Sequence, residues 1–134
     1  MLQDPAPSDW LMWRRTLDGW GYSPLDQITT ENVERLQLAW SWAISSEGRP
    51  EPNPLVYDGV MYVASPFGVV EALDAATGEE RWRTPRRQPI SQAYSTPLVI
   101  RVGDRDQLFS IGAFRATAYD PESGGEIWEV SYGD

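Results

Sequence analysis

Short apolar runs separated by turn residues fill the chain from residue 53 onward. Within residues 53–84 apolar and polar positions alternate at a period of two, which is typical of half-buried strands. Asp58-Gly59 stands between two apolar runs and is the strongest short signal for a hairpin. This stretch therefore predicts a first blade, a four-stranded antiparallel meander. Its predicted strands are residues 55–57, 60–64, 69–73 and 80–84, with turns at 58–59, 66–68 and 77–78.

A second block of the same kind occupies residues 94–131. Pro97-Leu98-Val99 corresponds to Pro54-Leu55-Val56 of the first block, and Gly103-Asp104 corresponds to its hairpin turn. Further strands are predicted at residues 108–112, 115–120 and 126–131. The order of strands and turns repeats, so this block predicts a second blade.

An eleven-residue segment occurs once in each block and ends in tryptophan. Its copies are residues 72–82 and 118–128, and both read Ala-x-Asp, then Thr or Ser before Gly, then Trp. A third tryptophan, Trp40, precedes them, and the three are spaced by 42 and 46 residues. A period in the forties is typical of one four-stranded propeller blade per repeat. The predicted fold class is therefore all-β, a partial β-propeller.

The first 44 residues predict an arm that leads into an extra strand. Residues 1–35 are expected to be an arm with short helices: one amphipathic helix over Trp10–Leu17, then a helical turn over 31–34 capped by Thr29 or Thr30. Residues 36–44 alternate apolar with small or polar positions and predict an outer strand of a neighbouring blade. A closed propeller needs at least about four blades. Two blades and one donated strand are therefore expected to pair with missing blades of the same ring, or to self-associate through exposed faces.

Composition excludes several classes of partner and of chemistry. A net charge of −9 over 134 residues argues against nucleic acid as a partner, because phosphate binding relies on Lys and Arg. The absence of cysteine excludes disulfides and thiol chemistry, and the absence of histidine removes the usual triads and zinc centres. No apolar run approaches the roughly 20 residues that span a bilayer, and no signal peptide is recognised at the start.

Two charged clusters are assigned local roles. The basic run Arg81, Arg83, Arg86 and Arg87 is interpreted as a solvated strand end and loop. Asp104 and Asp106 are expected in a hairpin turn, where aspartate hydrogen-bonds nearby backbone. Neither cluster is assigned to catalysis.

The repeated segment resembles the tryptophan-docking motif of the pyrroloquinoline quinone (PQQ) propellers, whose blades carry Ala-x-Asp-x-x-Thr-Gly-x-x-x-Trp. The small alanine leaves room, the glycine exposes a peptide plane, and the indole stacks there while its N–H reaches a carbonyl. The resemblance implies a structural role for these residues rather than a catalytic one. They are Trp40, Ala72, Asp74, Gly78, Trp82, Ala118, Asp120, Gly124 and Trp128.

The front of the chain is similar to the N-terminal segment of PQQ-dependent alcohol dehydrogenases. The matching residues are Trp20–Ile28, Glu31-Asn32-Val33, Leu36 and Leu38-Ala39-Trp40, and the likeness runs from about Trp10 to Trp82. In that family the next element reads Glu-x-x-Pro-Leu-Val, which is Glu51 to Val56 here. The resemblance implies that Glu51 hydrogen-bonds the quinone, and a solvated loop glutamate is the alternative. From about Pro85 the match is expected to fail, and the second half resembles a blade of the broader PQQ-like repeat proteins.

These resemblances imply a function and an alternative to it. The chain is expected to be part of a PQQ-type quinoprotein propeller related to dehydrogenases that oxidise alcohols or sugars. PQQ and calcium are the cofactors of the intact family, whose calcium ligands and catalytic aspartate lie in later blades. The isolated chain is expected to be inactive, and the family implies a periplasmic location. The alternative is a non-catalytic PQQ-like propeller segment that binds protein partners.

Overall fold

Eight strands form two separate antiparallel sheets in the computed structural model, which describes residues 2, 4–44, 53–65, 69–85 and 95–132. Each sheet has its four strands in chain order, so that every strand pairs with its sequence neighbours. The all-β class and the two four-stranded blades are confirmed. The first sheet contains β1 (Leu55–Tyr57), β2 (Val60–Ser65), β3 (Val69–Asp74) and β4 (Glu80–Pro85). The second contains β5 (Leu98–Val102), β6 (Arg105–Gly112), β7 (Arg115–Tyr119) and β8 (Glu126–Ser131).

The two sheets match position by position. Ala72 pairs with Trp82 across β3 and β4, and Ala118 pairs with Trp128 across β7 and β8. A register shift follows each alanine, so the irregularity is repeated as well. Equivalent residues of the two repeats therefore occupy equivalent places, and the sheets can be compared residue by residue.

Local turn chemistry explains the ends of the strands. Asp58 and Gly59 both have positive φ, 47° and 73°, which is the requirement for the tight hairpin turn that an Asp-Gly pair favours. The turn between β3 and β4 lies beside this hairpin, since the N–H of Ala75 donates to the carbonyl of Gly59 at 2.9 Å. The β1–β2 and β3–β4 turns thus share one end of the first sheet.

Apolar side chains of both sheets meet in one core. The sheets face each other through residues that are almost completely buried, and Leu11 from the N-terminal arm completes the cluster. The members of this cluster are Leu11, Leu55, Val60, Tyr62, Val70, Ala72, Trp82, Val99, Leu108 and Tyr119.

The helix predicted over Trp10–Leu17 is wrong. Trp10 instead forms an antiparallel bridge with Val56, with its N–H 2.7 Å from the Val56 carbonyl and the reverse bond at 3.0 Å. The carbonyl of Leu11 accepts from the N–H of Val99 at 3.3 Å. The backbone groups that a helix would use internally are therefore bonded to the first strand of each sheet. Leu11 is buried as expected, but Leu17 is 57% exposed.

Arg15 fixes the fold of this arm. Its φ of 68° is left-handed, which no helix interior accommodates. Its buried guanidinium donates to the carbonyls of Asp9, Pro5 and Ala6, each at 3.2 Å. Three carbonyls of one turn therefore share a single cation, which holds residues 5–9 in a compact turn against the first sheet.

The remaining N-terminal expectations are met in part. A 3-10 helix covers Val33–Arg35, close to the predicted helical turn, but Asn32 rather than a threonine is its N-cap residue. The Asn32 side chain accepts from the N–H of Thr29 at 2.7 Å. Residues 36–44 form no strand within the part of the chain that the structure describes. No helix in the described ranges is long and apolar enough to cross a membrane.

Leu11→Ala should destabilise the protein because it empties a site between the two sheets. Leu11 is 1% exposed, and removing a leucine from a packed core costs about 2–5 kcal/mol. Urea unfolding followed by tryptophan fluorescence measures the change. Leu17→Ala is the matched control and should change the free energy of unfolding by less than about 0.5 kcal/mol. Equal losses for the two variants would contradict the arm's place in the core.

Candidate functional site

The first tryptophan contact joins residues 36–44 to the first sheet. The Trp40 indole N–H donates to the Ala75 carbonyl at 3.1 Å. The indole lies directly over Gly78, where an added Cβ would stand 2.7 Å from Trp40 Cδ2. Gly78 has φ of 75°, a conformation that glycine adopts without steric cost. The turn therefore accepts the indole only because position 78 carries no side chain.

The second contact repeats the first between the two sheets. The Trp82 indole N–H donates to the Pro121 carbonyl at 2.9 Å, and a Cβ on Gly124 would lie 2.5 Å from Trp82 Cε3. Tyr62 donates its hydroxyl to the same Pro121 carbonyl at 3.1 Å. Thr84 donates its hydroxyl to the Gly124 carbonyl at 2.8 Å. Three side-chain donors of the first sheet thus bind the carbonyls of one turn of the second sheet.

Trp128 occupies the equivalent position on the second sheet but contacts only its own sheet in the described residues. Its indole N–H donates to Gln107 Oε1 at 2.9 Å, and its ring lies 5.5 Å from that of Phe109. It is 37% exposed, whereas Trp82 is buried. Large apolar residues around it are exposed too, namely Ile111, Phe114, Val130 and Tyr132. This face of the second sheet is an open apolar surface.

The two aspartates of the repeat hold the receiving turns in shape. Asp74 Oδ1 accepts from the N–H groups of Ala76 and Thr77, both at 3.0 Å, and Asp120 Oδ1 accepts from Glu122 and Ser123 in the same way. Their second oxygens pair with arginines at the surface, Asp74 with Arg81 at 2.7 Å and Asp120 with Arg105 at 2.8 Å.

Both carboxyls are more acidic than usual. The Arg81 hydrogen bond, followed by those from Thr77 and Ala76, lowers the pKa of Asp74 from 3.8 to about 2. The Arg105 hydrogen bond is the largest cause of the lowered pKa of Asp120. The turn-capping bonds recur in both copies and each aspartate pairs with an arginine, although the arginine comes from a different position in each sheet. The two repeat alanines, Ala72 and Ala118, are fully buried beside their tryptophan partners.

The predicted quinone contact, Glu51, lies outside the described residues. The starts of β1 and β5 lie side by side, since the N–H of Asn53 is 3.4 Å from Thr96 Oγ1. Within the described ranges no group of three or more acidic side chains is placed to hold a metal ion. No chemical step is assigned to calcium in this chain.

A polar cleft of about 590 Å³ opens between the turn ends of the two sheets. Asp106 lies there, and its expected place in a hairpin turn is wrong because it belongs to β6. Its carboxylate pairs with Arg101 and accepts from the Tyr57 hydroxyl at 2.6 Å. These bonds lower the pKa of Asp106, that of Arg101 first, and the same Asp106 contact raises the pKa of Tyr57. Asp106 therefore ties β5 and β6 to the first sheet.

Several residues of these contacts were not singled out from the sequence. Thr84 and Tyr62 carry no repeat signature, and Pro121 contributes only its carbonyl. The basic run is only partly a solvated strand end, because Arg81 pairs with Asp74 and Arg83 pairs with Glu71 at 2.6 Å. Arg86 and Arg87 lie outside the described residues. A comparison of the residues two positions after each repeat tryptophan would have drawn attention to Thr84.

Repeated four-stranded antiparallel sheets are the blades of the class of β-propeller proteins. The family model for the PQQ glucose/ethanol/alcohol dehydrogenase β-propeller domain matches residues 10–97. The chain therefore belongs to this family, and the expected relationship to PQQ propellers is confirmed.

Individual relatives are quinone-dependent alcohol dehydrogenases. The dehydrogenase subunit of alcohol dehydrogenase (quinone) from Gluconobacter oxydans is 43% identical over 83 residues, which is 62% of this chain and 11% of that protein. The corresponding subunit from Acetobacter aceti is 35% identical over 133 residues, 96% of this chain and 18% of that protein. The structure of quinohemoprotein alcohol dehydrogenase ADHIIG from Pseudomonas putida HK5 superimposes with a TM-score of 0.77 at 32% identity, covering 96% of this chain and 20% of that one.

The matches cover most of this chain but only a small part of the relatives. The chain spans only between 11% and 20% of the length of these relatives. The likeness to the dehydrogenases also continues through the second sheet, since the Acetobacter aceti match covers 96% of the chain. The expectation that it fails from about Pro85 is therefore too restrictive.

Gly124→Ala should disrupt the contact between the sheets. The new methyl group would overlap the Trp82 ring in addition to the strain of φ at 70°, so a loss of about 3 kcal/mol or more in the free energy of unfolding is expected. Gly103→Ala is the matched control, because Gly103 also has positive φ but has open space around it. It should cost only about 1–2 kcal/mol. Urea unfolding measures both, and an equal cost would show that the indole contact contributes little.

Acidification should weaken the first receiving turn through Asp74. The pKa of Asp74 is lower in the folded protein than in the unfolded chain, so its contribution to stability is present above pH 3.8 and is lost as the pH falls towards 2. Asp74→Asn should therefore be less stable at neutral pH and show a shallower loss between these pH values. Thermal unfolding at a series of pH values measures this. Asp26→Asn, in the exposed N-terminal segment, should keep the wild-type slope; the same slope in Asp74→Asn would refute the assignment.

Proposed function

We propose that this chain contributes the first two blades, and the segment that closes the ring, to a PQQ-type quinoprotein propeller related to dehydrogenases that oxidise alcohols or sugars. The observation that carries the proposal is the family match over residues 10–97, together with the two indole–glycine contacts, of which Trp40 with Gly78 lies within that range and Trp82 with Gly124 extends beyond it. The relatives named as quinone-dependent alcohol dehydrogenases support the alcohol side of the proposal.

The ring-closing role is assigned to residues 36–44. Trp40 contacts Gly78 in the same manner as Trp82 contacts Gly124, although Trp40 belongs to neither sheet. In a ring, such a segment is the outer strand of the blade that precedes the first sheet. This accounts for the 83% exposure of Leu38, which has no neighbouring strand in the described residues.

The open face around Trp128 is assigned to the following blade. Trp128 has the register position of Trp82, whose face is covered by the second sheet. A further blade with a glycine turn would bury the indole in the same way, and its partners would then be further blades of the same ring. Self-association of isolated chains through this face is the expected behaviour when no such blade is present.

The proposed cofactor contact is Glu51. It stands four residues before the first residue of β1 in the sequence, and the start of β1 lies beside the start of β5, as the contact between Asn53 and Thr96 shows. This is the end of the sheets opposite the receiving turns. In the intact family PQQ would supply the oxidising chemistry, and the part proposed for this chain is to hold the quinone through the Glu51 carboxylate. The proposed location is the periplasm, on the grounds of family resemblance.

The isolated chain should quench its tryptophan fluorescence on addition of PQQ but should not reduce an electron-accepting dye with PQQ, calcium and an alcohol. Glu51→Gln should weaken the quenching titration about tenfold, because a hydrogen bond to a carboxylate is replaced by a neutral one. Glu79→Gln is the matched control, since Glu79 lies in an exposed turn at the opposite end of the first sheet.

The outcomes separate the two classes of function. Dye reduction by the isolated chain would contradict the assignment of the chemistry to other blades. No quenching by wild type or by either variant would remove the cofactor role for these residues and favour the non-catalytic scaffold. Equal quenching by wild type and both variants would remove the role of Glu51 alone.

A further inference from the structure

A carboxylate is fully buried on the face of the first sheet that is turned towards residues 36–44. The side chain of Glu71, in the middle of β3, has 0% exposure. Its Oε1 atom lies 2.6 Å from Arg83 Nη2, a charge contact rather than an aligned hydrogen bond. A buried carboxylate is costly unless its oxygens are paired. Trp40 is not the partner of this carboxylate, because its indole N–H donates to the Ala75 carbonyl and its ring lies over Gly78.

Trp42 supplies the second partner of this carboxylate. Its indole N–H lies 3.4 Å from Glu71 Oε2, so that residues 36–44 contact the first sheet at two points. Trp40 meets the turn after β3, and Trp42 meets the charge in the middle of β3. The two tryptophans therefore have different roles: Trp40 makes the contact that is common to the repeat, and Trp42 makes a contact that is particular to this segment.

The three docking tryptophans differ in the residue two positions later. Trp40 is followed by Trp42, Trp82 by Thr84, and Trp128 by Val130. Thr84 donates to the Gly124 carbonyl, and valine has no side-chain donor. The three segments thus carry different groups at this position.

The receiving positions differ in a matching way. Glu71 precedes Ala72 in the first repeat and pairs with Arg83 across the sheet. The equivalent pair in the second sheet is Thr117 and Glu129. The buried carboxylate is therefore present at the junction that meets Trp42, and a neutral threonine is present at the junction that meets the Thr84 strand.

We propose that Glu71, held by Arg83, is a specificity determinant that selects the Trp42-bearing segment for the first sheet over a strand that carries a valine at that position, as Val130 does after Trp128. Building on the propeller assignment above, it fixes which strand closes onto the first blade. A strand with valine two positions after its docking tryptophan would leave Glu71 Oε2 buried without a donor. The cost of this unpaired buried polar atom would oppose docking. The repeat tryptophans provide affinity that is common to every junction, and Glu71 with Trp42 makes this junction different from the next.

The test measures docking of the segment directly through the solvent exchange of the Trp40 indole N–H in ¹⁵N-labelled full-length chain. Trp42→Phe keeps the ring packing and removes the donor, and it should speed this exchange about tenfold. Trp128→Phe, which removes an indole N–H on the other sheet, should leave it unchanged. The Trp82 indole N–H, bonded to Pro121, should stay protected in every variant and reports that the two sheets remain folded.

Selectivity is tested by placing Trp42→Val in two backgrounds, the wild type and Glu71→Thr. Trp42→Val should speed the exchange in both backgrounds, but the increase should be about tenfold larger in the wild-type background. The reason is that a buried Glu71 carboxylate needs the indole donor, whereas a threonine at position 71 does not. An equal effect in both backgrounds, or an unchanged Trp40 exchange in Trp42→Phe, would overturn the proposal. Because Trp40 docking is observed without any cofactor, a failure of the PQQ titration leaves this result unaffected.

Discussion

The structure depends on the contact between an indole and a turn that lacks a side chain. Gly124 has positive φ and no room for a Cβ beneath Trp82, and the Pro121 carbonyl in the same turn accepts from both Trp82 and Tyr62. Asp120 holds that carbonyl in place by capping the turn. The apolar core between the sheets can form only in the one placement that this contact allows, so a few polar bonds at the rim set the geometry of a large buried surface.

This contact is directional, and the direction has consequences for assembly. Each sheet offers a tryptophan from its last strand and receives one at the turn before that strand, so two sheets join head to tail rather than face to face by symmetry. Such heterologous contacts continue until a ring closes or a surface is left open. The first sheet receives Trp40, the second receives Trp82, and Trp128 faces outward. The open apolar surface is therefore a direct result of the same contact that joins the two sheets.

The sequence predicted what is local and missed what is long-range. The eight strands and the Asp58-Gly59 hairpin follow from alternation and turn residues, and the repeat located both receiving turns. The Trp10–Leu17 helix failed because its periodicity was real but its backbone pairs with Val56 and Val99, partners more than 40 residues away. The bond of Asp106 to the first sheet depends on which sheet stands opposite, and Glu71 has a partner in Trp42 of residues 36–44; no local pattern records either contact. Glu51 was carried by family resemblance alone.

The two ends of the sheets carry different contacts, so residues at one end can change without altering the contacts at the other. The receiving turns, their aspartate caps and their glycines all lie at the end marked by the Asp58-Gly59 hairpin. The strand starts, with Asn53 beside Thr96, lie at the opposite end. Substitutions at the strand starts therefore need not disturb the indole contacts, and substitutions in the turns need not disturb the contact between Asn53 and Thr96. Glu71 lies between these ends, in the middle of β3, where it acts on neither the turn nor a ligand but on the choice of neighbouring strand.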